Sequence, residues 1–157
     1  MSALVARFDR WLYRGGRPNR LARVMVRFWA GVFSRGWVMP DRVATLEVSG
    51  RRTGLPISLP VVIADHDGER YLVSMLGEKA NWVRNVRAAK SRAVLLHGRR
   101  ESVVLDEVPA GERAPVLRRY LAVAPGARAH VPVEPGAPLA EFERVAERFP
   151  VFRVTVR

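Results

Sequence analysis

At Pro40 the hydrophobic pattern of this chain changes period, and that change restricts the fold more than any composition figure. Downstream, short runs rich in β-branched and aliphatic residues recur at Val43 to Val48, Ser58 to Ala64, Tyr71 to Met75, Ala93 to His97, Val103 to Val108 and Val151 to Val156. Runs this short suit strands. Asp67-Gly68, between two of them, is the dipeptide that a two-residue hairpin asks for, because both positions need positive φ. Gly98-Arg99-Arg100 suggests a second antiparallel connection. Helical spacing appears in this part of the chain at Lys79 to Ala89, Gly111 to Val123 and Leu139 to Phe149. The pattern predicts an α+β, mostly antiparallel, six-stranded barrel-like fold with flanking helices. Residues 124–138, interrupted by Pro125, Pro132, Pro135, Pro138, Gly126 and Gly136, read as a long ordered loop at the edge of a site.

Upstream of the change the chemistry differs. Residues 1–42 carry nine arginines against Asp9 and Asp41, a local excess of +7, interleaved with Phe8, Trp11, Tyr13, Phe28, Trp29, Phe33 and Trp37. From Leu21 to Phe33 the apolar residues cover a helical surface, and Arg20, Arg23 and Arg27 share one stripe. Such a face either packs on the core or rests against anionic lipid headgroups. At 157 residues one domain is expected over 1–157, with a basic amphipathic segment at 1–42 and the barrel core at 43–157. Without a long apolar stretch, and with Arg7, Arg10 and Arg14 interrupting its start, the chain is expected to be cytoplasmic. The basic segment adds a peripheral placement on the inner face of the cell membrane.

Composition removes several chemistries. There are no cysteines, so disulfides, thiolate metal sites and cysteine nucleophiles are excluded. The net charge is +12 and only Lys79 and Lys90 are lysines, so guanidinium groups dominate and favour phosphate or carboxylate partners. No hydrolase, metalloprotease, Walker or dinucleotide-binding signature occurs. Nucleic acid is not expected either, because no groove-reading helix or base-stacking motif accompanies the charge. Asp65-His66-Asp67 sits at the predicted hairpin and reads as a polar turn facing water, so no metal site is expected.

One segment stands out. In Gly50-Arg51-Arg52-Thr53-Gly54, two glycines permit a tight turn, main-chain N–H groups can form an anion concavity, and two guanidiniums can add charge-assisted bonds. The same five residues also suit a plain solvated hairpin loop.

Farther along come Pro56 and Pro60, Val73-Ser74-Met75-Leu76-Gly77, then Asn81-Trp82-Val83-Arg84-Asn85 and Ala88. This ordered series, from about Leu46 to Val108, resembles the deazaflavin-dependent nitroreductase family. The resemblance implies a split β-barrel that binds coenzyme F-420, a deazaflavin with a phosphate and an acidic glutamate tail. It implies that Arg51, Arg52, Thr53 and Gly54 hold the phosphate and tail, and that Ser74, Met75, Leu76 and Gly77 line the deazaflavin. Lys79 adds charge for the tail, and Pro60 counts among the cofactor-binding positions. Trp82 and Asn85 brace the site, with Trp82 serving equally well as core packing and Asn85 as a cap on a nearby loop. Three departures matter. Ile57 stands where the family commonly has a basic residue, Val61 and Val62 replace polar or aromatic positions after Pro60, and the Ser74 to Trp82 interval is shorter than in the quinone-reducing members, so the chemistry of the acceptor pocket does not carry over. FMN, with its single phosphate, is the alternative cofactor.

The activity so implied is hydride transfer from reduced deazaflavin to a small hydrophobic acceptor such as a quinone, a nitro compound or an activated alkene. The chemistry belongs to the cofactor, which accounts for a sequence poor in catalytic side chains. The proton for the reduced product is expected from solvent or from Tyr120 or His130. A lipid-binding split-barrel protein is the competing reading.

Overall fold

The computed structural model describes residues 40–157. The expectations for the basic amphipathic segment fall outside the described residues, apart from a 3-10 turn at Pro40–Arg42. Seven strands follow: β1 (Val43–Ser49), β2 (Pro56–Val62), β3 (Ala64–His66), β4 (Glu69–Val73), β5 (Arg92–His97), β6 (Arg99–Glu107) and β7 (Val151–Val156). They form one sheet in the order β2-β1-β5-β6-β7-β4-β3. Every pairing is antiparallel.

The expected run Ser58 to Ala64 divides at Ile63, which is why six strands become seven. Its first part pairs with β1 and its second with β4, while Ile63 donates its N–H to the Arg42 carbonyl at 2.7 Å. β2 and β3 are the two edges of the sheet, yet one residue separates them in the chain. The sheet must therefore curl until its edges meet, and a split barrel results. Side-chain alternation survives the bend: Leu59, Val61 and Ile63 join the barrel interior, whereas Val62 and Ala64 join the outer layer. Asp67 (φ 49) and Gly68 (φ 77) form the hairpin turn that their sequence predicts, and Gly98 (φ 74) turns β5 into β6.

Helix α1 (Asn81–Ala88) closes the interior at one mouth of the barrel, burying Val83 and Val86 completely against Leu46, Leu95 and Leu105. Helices α2 (Ala114–Val123) and α3 (Leu139–Val145) cover the outside of β3, β4 and β7 through Leu117, Leu121 and Phe142. Both α1 and α2 begin later than their periodicity predicts, because 3-10 turns at Gly77–Lys79 and Ala110–Glu112 precede them. Residues 124–138 are not a plain loop: Pro125–Ala129 forms a 3-10 turn and Val131 is buried. Pro125 presets the helical φ at its first position. Buried Arg113 donates to the carbonyls of Val108, Ala146 and Phe149, satisfying main-chain acceptors where the segment after α3 ends.

Candidate functional site

The antiparallel ladder brings the end of β1, the start of β2 and the end of β4 to the same rim of the barrel, the one α1 covers. The 50–55 turn is therefore carried beside α1. It is closed by two main-chain bonds, Gly54 N–H to Gly50 O and Gly50 N–H to Leu55 O, both 2.8 Å. Gly54 has φ 71, a conformation that disfavours a side chain. Thr53 serves the turn itself, its Oγ1 accepting from the Leu55 N–H at 3.2 Å. Ile57 is half-buried, with its Cδ1 directly beneath Gly50. An apolar filler thus occupies the place of the basic residue common in the resembling family.

Arg51 ties this turn to α1. Its N–H and its Nη1 both donate to Asn85 Oδ1, at 3.2 and 2.9 Å, and its Nη2 donates to Asn81 Oδ1 at 3.4 Å. Asn81 and Asn85 lie four apart and so share one helix face. Asn85 is 2% exposed and acts as the loop cap foreseen as its alternative role. Asn81 was missed as a site residue, although its spacing from Asn85 was a readable signal. Arg52 is exposed and makes no polar contact with the described residues. At the start of α1, Ala80 supplies no side-chain cap, and no side chain among the described residues accepts from the first-turn N–H groups.

The second segment, Ser74 to Lys79, leads into α1. Ser74 is buried, and its hydroxyl donates to the Gly77 carbonyl at 2.8 Å. Its side chain therefore holds the turn together. Gly77 has φ 79, and a Cβ there would lie 3.0 Å from the Arg148 carbonyl oxygen. Met75 packs on the outer core, while Leu76 is 62% exposed and Lys79 is exposed. Trp82 packs on the interior cluster, tilted against Phe152 at 5.4 Å between ring centroids, which is the core role. Pro60 is not brought to this rim. It lies mid-strand opposite Thr45, on the outer face of β2.

An ion-pair chain fixes the approach to α1. Arg87 binds both Glu78 and Glu107. Hydrogen bonding from Arg87 holds the Glu78 carboxyl below its usual range, and the Glu107 and Glu78 carboxylates push Arg87 up. The candidate proton donors fare differently from expectation. Tyr120 is buried in the α2–α3 core, where desolvation raises its pKa, so its ring is packing material. His130 is exposed beyond the 3-10 turn at Pro125–Ala129 and has no polar side-chain contact with the described residues of this rim. Asp65 is exposed, as a polar turn facing water requires, and it also pairs with Arg42 and Arg119. Among the described residues no His, Asp and Glu group could hold a metal ion. A separate concavity of about 300 Å³, lined partly by His66, Tyr71, Asp106 and Arg153, adjoins this rim at Glu107, the partner of Arg87.

Among solved structures, an F-420-H2 dependent reductase, FDR-A, aligns at 19% identity over 75% of this chain and 97% of that one, with a TM-score of 0.50. A protein of unknown function from Agrobacterium tumefaciens aligns at 17% identity and a TM-score of 0.53, covering 74% of this chain and 51% of that one. A heme binding protein from Mycobacterium smegmatis aligns at 17% identity and 0.52, covering 75% and 47%. This chain thus spans about half the length of the latter two. At these identities the likeness shows the split-barrel fold alone. No curated protein matches. The profile of the F-420H(2)-dependent quinone reductase family, however, matches residues 19–132, well over half the chain and inclusive of both rim segments. This protein therefore belongs to the F-420H(2)-dependent quinone reductase family, a family of oxidoreductases.

Proposed function

We propose that the chain binds coenzyme F-420 at the α1 rim and reduces a quinone-type acceptor there. The observation that carries this reading is the Arg51 bridge from the 50–55 turn to Asn85 and Asn81. It gathers a guanidinium, a glycine turn and an uncapped helix start into one anion-receiving corner. Oligoanionic phosphate and glutamate groups fit this donor set, which among the described residues has no carboxylate bonded to Arg51 or Arg52. When bound, the deazaflavin supplies the hydride. The chain's own residues place it: Arg51 and Arg52 receive the phosphate and tail, Lys79 adds charge, and the main chain of Met75 to Gly77 borders the ring. The acceptor classes open to such chemistry are quinones, nitro compounds and activated alkenes, and the family favours the first. Ile57 removes one tail contact, so affinity falls below that of relatives with a basic residue there.

The test is direct. Titration with F-420 should change its fluorescence saturably, and adding menadione to protein and reduced F-420 should restore the oxidised deazaflavin absorbance. Saturable binding of FMN with none of F-420 would replace the cofactor assignment.

A peripheral membrane reading also has an observation behind it. Leu55 and Leu76, 65% and 62% exposed, occupy the same rim segments as exposed Arg52 and Lys79. Apolar side chains beside cations suit a lipid–water interface, where a quinone is available. Flotation with anionic vesicles should weaken on changing Leu55 and Leu76 together to Ser; equal flotation of both proteins defeats this reading.

A further inference from the structure

Most arginines that are held in place among the described residues are held by carboxylates, as in Arg70 with Glu101, Arg87 with Glu78 and Glu107, or Arg100 with Glu47. Each such pair fixes the guanidinium and neutralises it together. Arg51 is different. Its Nη1 and Nη2 donate to amide oxygens, those of Asn85 and Asn81, which fix its direction and leave its charge intact. A guanidinium offers five donors, and these two bonds leave the others available to a ligand. We propose that Asn85 is a positioning residue whose neutrality is required: it aims a fully charged Arg51 at the anion, and Asn81 completes the hold.

Burial makes the choice of residue informative. Asn85 is 2% exposed on the buried side of α1, where an aspartate of the same shape would satisfy the same N–H donors at least as well. A buried carboxylate would gain the pairing with Arg51 at the cost of its own desolvation, two effects that roughly offset. It would also cancel the arginine's charge, whereas an amide holds the guanidinium and leaves that charge to an outside anion. Asn81 strengthens the point. As the first residue of α1 it stands where an acid would gain from the helix dipole, yet it too is an amide.

The inference rests on the F-420 reading for the ligand's identity but not for its charge, and the experiment separates the two. F-420 and inorganic pyrophosphate would both be titrated into wild type, Asn85→Asp and Asn81→Asp at several salt concentrations, with melting temperatures alongside. Asn85→Asp should weaken binding about tenfold or more and flatten its salt dependence, while melting within a few degrees of the wild-type temperature. Asn81→Asp, an exposed change that does not threaten folding, should weaken binding several-fold in the same manner. A purely structural asparagine would leave affinity and salt dependence unmoved in both. Either variant binding pyrophosphate within twofold of wild type overturns the inference, and so does a wild type that binds neither probe. Binding of pyrophosphate but not F-420 sinks the cofactor reading, and the variants' pyrophosphate affinities then judge the role of Asn85.

Discussion

The 50–55 turn at one rim of the barrel and the charged cluster at the other treat arginine in opposite ways. At the rim formed by the Asp67-Gly68 and Gly98 turns, Glu101 accepts from Arg70 at 2.9 Å and from Arg99 at 3.1 Å. Arg70 and Glu101 share the inward parity of Leu72 and Val103, so this pair plugs that end of the interior, while the largely exposed Arg99 reaches Glu101 from the surface. At the α1 rim, Arg51 is held by amides, Arg52 meets no carboxylate among the described residues, and two leucines stand exposed. One end spends its guanidiniums on closing the fold. At the other, the 50–55 turn leaves its guanidinium charge uncompensated among the described residues.

Removing the plug's acceptor should give the largest effect. Glu101 is 7% exposed, and Glu101→Gln leaves two guanidiniums facing a weaker partner. The expected loss is about 2 kcal/mol, a fall in Tm of roughly 6 to 8 °C, with coenzyme affinity unchanged. The pH dependence has a defined sign. Burial alone would raise this carboxyl, but the bonds from Arg70 and Arg99 outweigh it and hold it below its usual range. A carboxylate depressed in the folded state contributes fully above the unfolded value of about 4.3 and loses that contribution as pH falls through its folded pKa. The stability gap between wild type and Glu101→Gln should therefore be widest near neutrality and close in acid. A gap independent of pH from neutrality to pH 3 would break the account of the plug.

Much of this architecture was legible in the sequence because it depends on neighbours in the chain. Period-two runs and the Asp67-Gly68 signal placed the strands, and the glycines of 50–54 marked the turn. What could not be read depends on distant partners. The division of the 58–64 run at Ile63 follows from which strand each half meets. Arg51 reaches Asn85 across 34 positions and Arg70 reaches Glu101 across 31, and no local pattern encodes either. The position of Ser74 in its motif is visible in the sequence, whereas the bond from its hydroxyl to the Gly77 carbonyl is not. Tyr120 illustrates the same limit, since a hydroxyl on a helix looks available until α3 covers it.

The next effect in size belongs to the α1 rim and tests whether its turns are as fixed as the plug. Gly77→Ala combines a positive φ with a Cβ 3.0 Å from a main-chain oxygen that has no flexible end to yield. A cost of about 2 kcal/mol is expected, with a shifted Met75 to Gly77 turn and a lower hydride-transfer rate. Thermal melts with single-turnover kinetics check it; an unchanged rate with lowered Tm would mean this turn supports α1 without bordering the ring.

Smaller effects separate charge from shape within the 50–55 turn. Arg52→Ala removes an exposed cation, so coenzyme affinity should fall about tenfold, equivalent to about 1.4 kcal/mol, with Tm essentially unchanged. Gly54→Ala retains every charge. Its φ of 71 is strained for alanine, yet no atom lies within 4 Å of the added Cβ, so a cost near 1 kcal/mol is expected from backbone conformation alone. Affinity should then fall only a few-fold, with the salt dependence of binding untouched, whereas Arg52→Ala should flatten it. Measured by fluorescence titration across salt concentrations, the pair asks whether this rim recognises its ligand by charge held in place or by the contour of the turn. Equal salt slopes for the two variants would favour contour and remove the contrast between the rims.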